Sequence, residues 1–398
     1  MVAIRARARF GTSAAGGGIV IPIAAPLLAD EEADAARAVV LSGWVSQGPQ
    51  VAAFEREFAA LVGAPHACAV SNCTTALQLA LTALDIGPGD EVITVSHSFI
   101  ATANVIRHQG ATPVFVDIEP ETYNLDCARL EEAVTERTRA IIVVHQMGMP
   151  CDMAALMAIA RRRGIAVIED AACAAGSQIR MNGEWAPIGA PHGDIACFSF
   201  HPRKVITTGE GGMLTTANAE LDRKFKLLRQ HGMSVPDTVR HSSSSVIFEE
   251  YVVVGYNYRM TDMQAAIGRR QLERLPDLVA RRRAVAARYA EQLGNLEGLR
   301  LPSEPAWARS NWQSYCVRLP DRLDQRVVMQ HLLDRGIATR RGIMCAHREQ
   351  PYAGLNRRQE LRQSELAQDR SILLPIYAQM SAEDTARVSA AVRAEVER

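Results

Sequence analysis

The first two thirds of the chain alternate between segments patterned as helices and short segments that are apolar at nearly every position. The apolar runs at 91–95, 113–116 and 140–144 fit strands that are buried on both faces of a sheet. Helical patterns separate them, near 74–84 and 100–107. The alternation continues to about residue 215 and predicts an α/β fold with a mainly parallel sheet.

The same pattern extends to further segments. Three more strands are predicted, at 164–170, 194–199 and 213–216. Four more helices are predicted, at 30–43, 52–61, 125–134 and 220–230. The pattern changes after Gly268. There, 269–293 indicates a long arginine-rich helix, interrupted near Pro276, that leads into a smaller α+β domain.

A chain of 398 residues has room for one large domain and one smaller one. We predict a loose leader over residues 1–18, a large domain over 19–268 and a small C-terminal domain over 269–398. Pro22 and Pro26 interrupt the apolar stretch after the leader, so it is not interpreted as a secretory signal. No run of 18 apolar residues occurs, so a membrane span is not expected.

Composition narrows the class of function. Lys and Arg together number 44, as do Asp and Glu, so the formal net charge is zero. This balance removes the bulk electrostatic case for binding nucleic acid or an acidic membrane surface. The eight cysteines contain no Cys-x-x-Cys pair and the histidines show no metal-ligand spacing. We therefore expect reduced thiols, a cytoplasmic location and no metal site.

Lys204 lies in the segment that carries the most chemical information. It ends the run Cys197-Phe-Ser-Phe-His-Pro-Arg-Lys204 and precedes the turn Gly209-Glu-Gly-Gly212. On residue type alone, Lys204 would be a surface side chain. At the end of a buried strand, however, its amine would be partly desolvated, as a lysine must be to react with a carbonyl near neutral pH. This context predicts attachment of pyridoxal phosphate.

Asp170 ends another apolar strand pattern, Ile165-Ala-Val-Ile-Glu-Asp170. A carboxylate here could cap the next helix, or it could pair with the protonated pyridine nitrogen and keep the cofactor ring an electron sink. The neighbouring Glu169 competes for that role. Alternation along a strand places the two side chains on opposite faces, and we predict Asp170 as the partner of the nitrogen.

Groups suited to a phosphate occur at a predicted helix start. The run Ser71-Asn-Cys-Thr-Thr-Ala-Leu77 places Thr74 and Thr75 where hydroxyls and backbone N–H groups can converge on an anion. The same pattern also fits simple capping of the helix. Ser199 is predicted as a further phosphate ligand. Phe99, which follows another strand end, is predicted to stack on the cofactor ring.

Together these motifs resemble the DegT/DnrJ/EryC1/StrS sugar aminotransferases, a branch of the fold-type I enzymes that use pyridoxal phosphate. The resemblance covers nearly the whole chain, and the ordered set of motifs is far more specific than any one of them. Besides the segments above, it rests on Ser42-Gly-Trp-Val-Ser-Gln-Gly-Pro49, Gly89-Asp-Glu-Val-Ile93, Phe99-Ile-Ala-Thr-Ala-Asn104, Gly110-Ala-Thr-Pro-Val-Phe-Val-Asp117, Gly255-Tyr-Asn-Tyr-Arg-Met-Thr-Asp262 and Leu374-Pro-Ile-Tyr377.

The resemblance implies roles for the residues already singled out. Lys204 would be the internal-aldimine lysine and Asp170 the partner of the pyridine nitrogen. The other implied cofactor ligands are Thr74, Thr75 and Ser199 for the phosphate and Phe99 for the ring.

The resemblance also implies a homodimer whose active sites lie at the subunit interface. Asn257 would then reach the phosphate in the partner's site, and Arg259 would bind a substrate carboxylate or phosphate. From the sequence alone, both would be interpreted as ordinary loop residues.

Two positions depart from the family pattern. Three residues after the aspartate, where relatives usually carry Gln or His near the cofactor ring, this chain has Cys173, whose thiol is a weak hydrogen-bonding group. The segment 340–349 replaces a tyrosine- and proline-rich stretch of many relatives. Its His347 aligns with a histidine of that stretch and is predicted to contact substrate.

The function implied is transfer of an amino group from L-glutamate to a keto group of a nucleotide-activated deoxysugar. Family members that deoxygenate sugars carry histidine in place of the lysine, so Lys204 argues against that branch. Two alternatives stay open. The acceptor could be a cyclitol or another cyclic ketone, which the unusual 340–349 segment favours. The chain could also bind pyridoxal phosphate without turnover, although it has no evident DNA-binding or partner module.

Overall fold

The secondary structure follows the alternation expected from the sequence. The computed structural model describes residues 20–235, 243–355 and 358–398, so the predicted leader over 1–18 lies outside the described residues. The strands are β1 (His66–Val70), β2 (Glu91–Val95), β3 (Thr112–Val116), β4 (Thr138–Val144), β5 (Ala166–Asp170), β6 (Gln178–Met181), β7 (Glu184–Pro187), β8 (Ile195–Ser199), β9 (Gly212–Thr216), β10 (Ala308–Arg309), β11 (Tyr315–Arg318), β12 (Arg340–Arg341) and β13 (Ser371–Leu374). The helices are α1 (Asp30–Ser42), α2 (Pro49–Val62), α3 (Cys73–Ala83), α4 (Ala101–His108), α5 (Leu130–Ala133), α6 (Met153–Arg163), α7 (Ala219–Leu228), α8 (Asp262–Leu293), α9 (Gln325–Asp334), α10 (Arg362–Arg370) and α11 (Ala382–Val396).

The central sheet has the strand order β1-β9-β8-β5-β4-β2-β3. Neighbours from β8 through β3 pair in parallel, whereas β9 pairs antiparallel with both β1 and β8. The mainly parallel sheet predicted from the apolar runs is therefore confirmed. Because β1 runs in the same direction as β8, the strands β1, β2, β4, β5 and β8 all end at one edge, where open α/β sheets bind ligands.

Both faces of this sheet are covered, which explains why its strands are apolar at nearly every position. Alternate residues of one strand enter different hydrophobic cores. Val92 and Ile142 pack in the core that contains α3, whereas Ile93 and Ile141 pack in the core that contains Phe54 of α2. Every residue of β2, β8 and β9 is buried.

The long helix α8 differs from its prediction at its start and in its middle. It begins at Asp262, where Thr261 Oγ1 accepts a hydrogen bond from Gln264 N at 3.2 Å, and it continues through Pro276 without interruption. A proline removes one N–H donor from a helix. Burial of the adjacent Leu275 in the main core keeps the helix continuous across that point.

The predicted helix over 125–134 is shorter than expected, and a 3-10 turn at Cys127–Arg129 leads into the single turn of α5. Leu125 instead forms an antiparallel bridge with Ile118, and Val134 is extended. Pairing and an extended backbone at the two ends therefore confine the helical backbone to residues 127–133.

A further core lies in the C-terminal quarter. Strands β11, β13 and β12 form an antiparallel sheet, and Tyr289 from the end of α8 packs with Val328 of α9 and Val388 of α11. The smaller α+β unit is thereby confirmed, while the boundary at residue 268 stays a prediction, because α8 contributes to two cores. Among the described residues, no helix combines the length and apolar character needed to cross a membrane.

Candidate active site

Lys204 and Cys173 meet at the edge where the parallel strands end. Lys204 lies in the turn after β8, and Cys173 lies in the turn after β5, three residues beyond Asp170. The Lys204 Nζ donates a hydrogen bond to the Cys173 Sγ at 3.2 Å. Both side chains are half-buried, so the neighbouring ends of β5 and β8 form one partly desolvated site.

The pKa of the Lys204 amine is the result of burial and of several neighbouring groups acting in opposite directions. Burial lowers the pKa of the Lys204 amine, but the sulfur atoms of Cys173 and Cys73 and the carboxylate of Asp170 raise it above its ordinary value. The amine is therefore held as an ammonium ion and must lose a proton before it can attack a carbonyl carbon.

Asp170 is buried at the carboxyl end of β5. Its Oδ2 accepts a hydrogen bond from Thr102 Oγ1 at 2.8 Å, and its Oδ1 accepts one from Ala172 N at 3.2 Å. Burial raises the pKa of the Asp170 carboxyl, and these hydrogen bonds and the charge of Lys204 offset part of that rise. The carboxyl is thus placed to interact with a cationic group in the site.

Glu169 bonds His145 and Gly193 and does not share the hydrogen-bond partners of Asp170. Its Oε2 lies 2.9 Å from His145 Nε2, and its Oε1 accepts a hydrogen bond from Gly193 N at 2.7 Å. The His145 Nδ1 accepts a hydrogen bond from Cys151 N, so the Nε2 carries the proton that is donated to the carboxylate. The two adjacent acids therefore have different partners, as alternation along the strand predicts.

The start of α3 offers the N–H groups expected for an anion. The first amides of a helix have no partner within the helix, and here they belong to Cys73 and Thr74. Thr75 also caps the helix, because its amide donates to Asn72 Oδ1 at 2.9 Å and its hydroxyl donates to Asn72 O at 2.7 Å. The capping interpretation therefore holds for Thr75, and Thr74 is half-buried beside it.

Ser199 and Gly212 bring two further strands against this helix start. Ser199 ends β8, is buried, and its Oγ accepts a hydrogen bond from His201 N at 3.4 Å. A Cβ on Gly212 would lie 2.5 Å from the Asn72 carbonyl and 2.8 Å from Cys73 N. Only glycine allows β9 to begin this close to α3, which explains the Gly-rich turn after Lys204.

Phe99, Asn257 and Arg259 have less contact with the rest of the chain. Phe99 lies after β2 at the same edge and is 65% exposed. Asn257 is exposed and Arg259 is half-buried, on the segment whose Tyr258 carbonyl accepts a hydrogen bond from Ser71 N at 2.8 Å. The roles predicted for these three residues stay predictions.

His347 is buried and engaged by its own chain. Its Nδ1 lies 2.6 Å from Ser96 Oγ, and its Nε2 lies 3.0 Å from Glu365 Oε1. The first contact joins the 340–349 segment to the end of β2, and the second joins it to α10. A contact between His347 and substrate, which stays a prediction, would require one of them to break.

Sequence reasoning missed several residues that shape the site. Thr102, which donates a hydrogen bond to Asp170, lies inside the motif Phe99-Ile-Ala-Thr-Ala-Asn104 that resembles the family. Its position in that motif could have marked it as a site residue. Asn311 donates a hydrogen bond to the Cys173 carbonyl at 2.8 Å, although 138 positions separate the two residues. No local pattern marks Asn311, because its role arises only from packing.

A comparison with known protein families identifies the family of the chain. The model of the DegT/DnrJ/EryC1/StrS aminotransferase family matches residues 26–393. The chain belongs to this family. The protein is accordingly an aminotransferase, and the family resemblance and the α/β fold class inferred from the sequence are confirmed.

Proteins similar to this chain include one of polysaccharide synthesis. The spore coat polysaccharide biosynthesis protein SpsC of Bacillus subtilis (strain 168) is 45% identical over 302 residues, which are 76% of this chain and 76% of SpsC. The solved structure of S. venezuelae DesV in complex with a ketimine intermediate is 36% identical, with a TM-score of 0.85 over 93% of this chain and 95% of DesV. Spr1654 from Streptococcus pneumoniae in its PLP form is 28% identical, with a TM-score of 0.87 over 95% of this chain and 99% of Spr1654.

Proposed function

We propose that the protein uses pyridoxal phosphate to transfer an amino group from L-glutamate to a keto group of a nucleotide-activated deoxysugar. The observation that carries this proposal is the convergence of Lys204, Asp170 and the start of α3 at one edge of the sheet. A polysaccharide-synthesis relative and the PLP form of Spr1654 support the sugar acceptor and the cofactor.

The donor set of the site fits pyridoxal phosphate. The buried Asp170 carboxyl suits a protonated ring nitrogen, and the amides of Cys73 and Thr74 with the hydroxyls of Thr74 and Ser199 suit a phosphate, while Thr75 caps the helix beside them. The exposed ring of Phe99 is available for stacking. When bound, the cofactor supplies an electron sink for the bond that breaks at the substrate carbon.

The residues of this chain would supply binding and proton transfer. The Lys204 Nζ would bind the cofactor and then carry a proton to and from the substrate carbon, acting as a general base and acid. Asp170 would keep the ring nitrogen protonated. Cys173 would contact the ring region in place of the amide or imidazole of other family members.

The site would be completed in a homodimer. The exposed segment before Asn257 carries apolar side chains that would be covered by a second copy, among them Val246, Phe248 and Val254. Asn257 would then serve the partner's phosphate site, with Arg259 and His347 near the substrate. The described cysteines are all free thiols, which suits the cytoplasmic location that we propose.

A cyclic ketone such as a cyclitol is the second candidate acceptor. The 340–349 segment departs from the stretch that the family resemblance implies, and His347 connects it to Ser96 at the end of β2, which supports this candidate. The two acceptors share the first half of the reaction and differ only in the second.

The function is tested by recording the visible absorbance of the purified protein with pyridoxal phosphate before and after L-glutamate. We expect loss of the visible band and release of 2-oxoglutarate, followed by amination of nucleotide keto-sugars in preference to cyclitol ketones. Lys204→Ala should lose both the band and turnover. Asp170→Asn should keep some cofactor and lose most of the rate.

The outcomes separate the alternatives. A reversed preference would support the cyclitol acceptor. A band that ignores glutamate would indicate a different donor or a protein without turnover. Retained turnover in Lys204→Ala would contradict the proposed role of the lysine.

A further inference from the structure

The loop over residues 310–314, between β10 and β11, contacts three of the strand ends that form the site. Ser314 N donates to Met147 O at 3.3 Å, in the segment after β4. The loop also bonds to the turn after β5 through Asn311 and to the turn after β8 through Gln313. A single short loop of the C-terminal part thus reaches both sides of the Lys204–Cys173 contact.

Both polar atoms of the Asn311 side-chain amide form hydrogen bonds, and those of Nδ2 hold this loop against the turn after β5. It is fully buried, and its Nδ2 donates to the carbonyl oxygens of Cys173 and Ala175, each at 2.8 Å. Its Oδ1 accepts from Gln313 N at 2.8 Å, and its backbone N donates to Ser177 Oγ at 3.0 Å. Rotation of this amide would break several buried bonds at once, so Asn311 fixes the turn that carries the thiol.

Gln313 makes the matching contact on the lysine side. Its Nε2 donates to the carbonyl oxygen of Arg203, the residue before Lys204, at 2.5 Å. Because Gln313 N also bonds Asn311, the positions of the two turns are linked through adjacent residues of one loop.

Arg282 of α8 anchors the loop from behind. Its guanidinium is buried and donates to Trp312 O at 3.0 Å and to Gln313 O at 2.7 Å. Trp312 has a φ of 52°, in the left-handed region that costs energy for a bulky residue. Two charge-assisted bonds to the carbonyls of this segment help to hold it in that conformation.

The segment after β4 packs closely against the Asn311 side chain at Gly148. Gly148 has a φ of 92°, and a Cβ built there would lie 2.0 Å from Asn311 Oδ1 and 3.1 Å from the Cys173 carbonyl oxygen. Ser177 Oγ donates to Gly148 O at 2.7 Å and so closes the contact. Any side chain at position 148 would therefore displace Asn311.

From these contacts we infer that Asn311 and Gln313 are positioning residues that set the contact between the Cys173 thiol and the Lys204 amine. The inference rests on the proposed function, in which Lys204 is the residue that reacts. Both residues act through backbone carbonyls of the two turns rather than by touching substrate. The reactivity of Lys204 is thereby tied to the packing of the C-terminal part against the sheet edge.

The test measures the reactivity of the Lys204 amine in the full-length protein, freed of cofactor with hydroxylamine. Trace acylation with acetic anhydride at several pH values, followed by peptide mass spectrometry, reports the fraction of unprotonated amine. Cys173 raises the pKa of this amine, and Cys73 and Asp170 also face it from α3 and β5 and remain in every variant. Breaking the Cys173 contact should therefore make Lys204 acylate faster near pH 7.

Asn311→Leu and Gln313→Met remove the donors without adding charge. We expect each to speed acylation of Lys204 near pH 7 by about tenfold, because a lower pKa leaves more of the amine unprotonated. Cys173→Ala should show the same effect, and Asn311→Leu should add nothing in the Cys173→Ala background, because both act on one contact. Gln330→Met, the same change at an exposed position of α9, should leave the rate unchanged.

Unchanged acylation in the folded variants would overturn the inference, as would an Asn311→Leu effect that persists in full without Cys173. If Asn311→Leu fails to fold, Gln313→Met still decides the matter on the lysine side. The measurement uses neither cofactor nor substrate, so its failure is distinguishable from a failure to transaminate.

Discussion

At the residue scale, the contact between Lys204 and Cys173 gives the site its individual character. A thiol occupies the position where the family resemblance implies an amide or imidazole, and it accepts the hydrogen bond from the lysine at 3.2 Å. A polarizable sulfur is a weaker hydrogen-bonding group than either. The proton affinity of the lysine is therefore adjusted by a neighbour that the sequence marks only as a departure from the family pattern.

His97 illustrates a residue whose burial has a consequence for stability. It directly follows Ser96 at the end of β2, is fully buried, and its ring nitrogens have no hydrogen-bond partner among the described residues. Burial lowers the pKa of His97 to about 3 from an ordinary value of 6.5. The unfolded chain therefore binds a proton more readily than the native protein, and stability falls as the pH decreases from 6.5 towards 3.

Replacing this histidine should make the protein less sensitive to acid. His97→Phe keeps a ring against Tyr123, whose centroid lies 5.7 Å away, but cannot bind the proton. Between pH 7 and pH 5 we expect the variant to lose about 2 kcal/mol less unfolding free energy than the wild type. Urea unfolding at the two pH values measures this difference. The exposed His108→Phe variant is the control, and an equal loss in all three proteins would contradict the prediction.

At the element scale, Asp262 joins the starts of two helices. It is the first residue of α8, and its buried carboxylate accepts hydrogen bonds from the amides at the start of α2. Gly48 N and Val51 N donate to Oδ1 at 2.8 and 3.0 Å, and Gln50 N donates to Oδ2 at 3.0 Å. One carboxylate thus satisfies amides that the α2 helix cannot satisfy itself.

Removing this carboxylate should be costly because buried amides would lose their acceptor. Asp262→Ala is expected to lower the free energy of unfolding by about 2–4 kcal/mol. The control is Asp277→Ala, farther along the same helix, where the carboxylate is exposed and pairs with Arg281 at 2.9 Å. That change should cost less than about 1 kcal/mol. Similar midpoints for both variants in chemical denaturation would contradict the proposed role of Asp262 in capping α2.

At the scale of the whole molecule, one exposed apolar segment stands apart from the buried cores. Val246, Phe248 and Val254 are 84%, 89% and 92% exposed. Large apolar side chains that are this exposed and close in sequence are typical of surfaces covered by another chain. The segment leads directly to Asn257, which is the residue proposed to reach the partner's site.

A charged residue introduced into this segment should prevent the two subunits from associating. Phe248→Asp and Val254→Asp are each expected to convert the proposed dimer to a monomer at micromolar concentration, because a carboxylate would have to be buried without a partner. Analytical ultracentrifugation measures the change. Val327→Asp, at an exposed apolar position on α9, should stay dimeric. A wild type that sediments as a monomer would contradict the proposed assembly.

Much of the fold and part of the site were predictable because their signals are local. The apolar runs of β2, β5 and β8 mark strands buried on both faces, and Asp170 and Lys204 lie where such runs end. Shorter or less apolar elements such as β1 and α6 were not predicted, and α8 passes Pro276 because core packing outweighs one lost donor. The secondary-structure preference of the local sequence is overridden wherever tertiary contacts favour a different conformation.

The sequence by itself determined the α/β class, the family and the residues at the strand ends, because period and motif are properties of neighbouring positions. Only the tertiary structure decided that the Cys173 sulfur meets the Lys204 amine, that His347 bonds Ser96, and that Asn311 holds the turn beside the lysine. These partners are separated by 31, 251 and 138 positions, and no local pattern records them. They arise when the strands and the C-terminal part pack together and their buried polar groups must find partners.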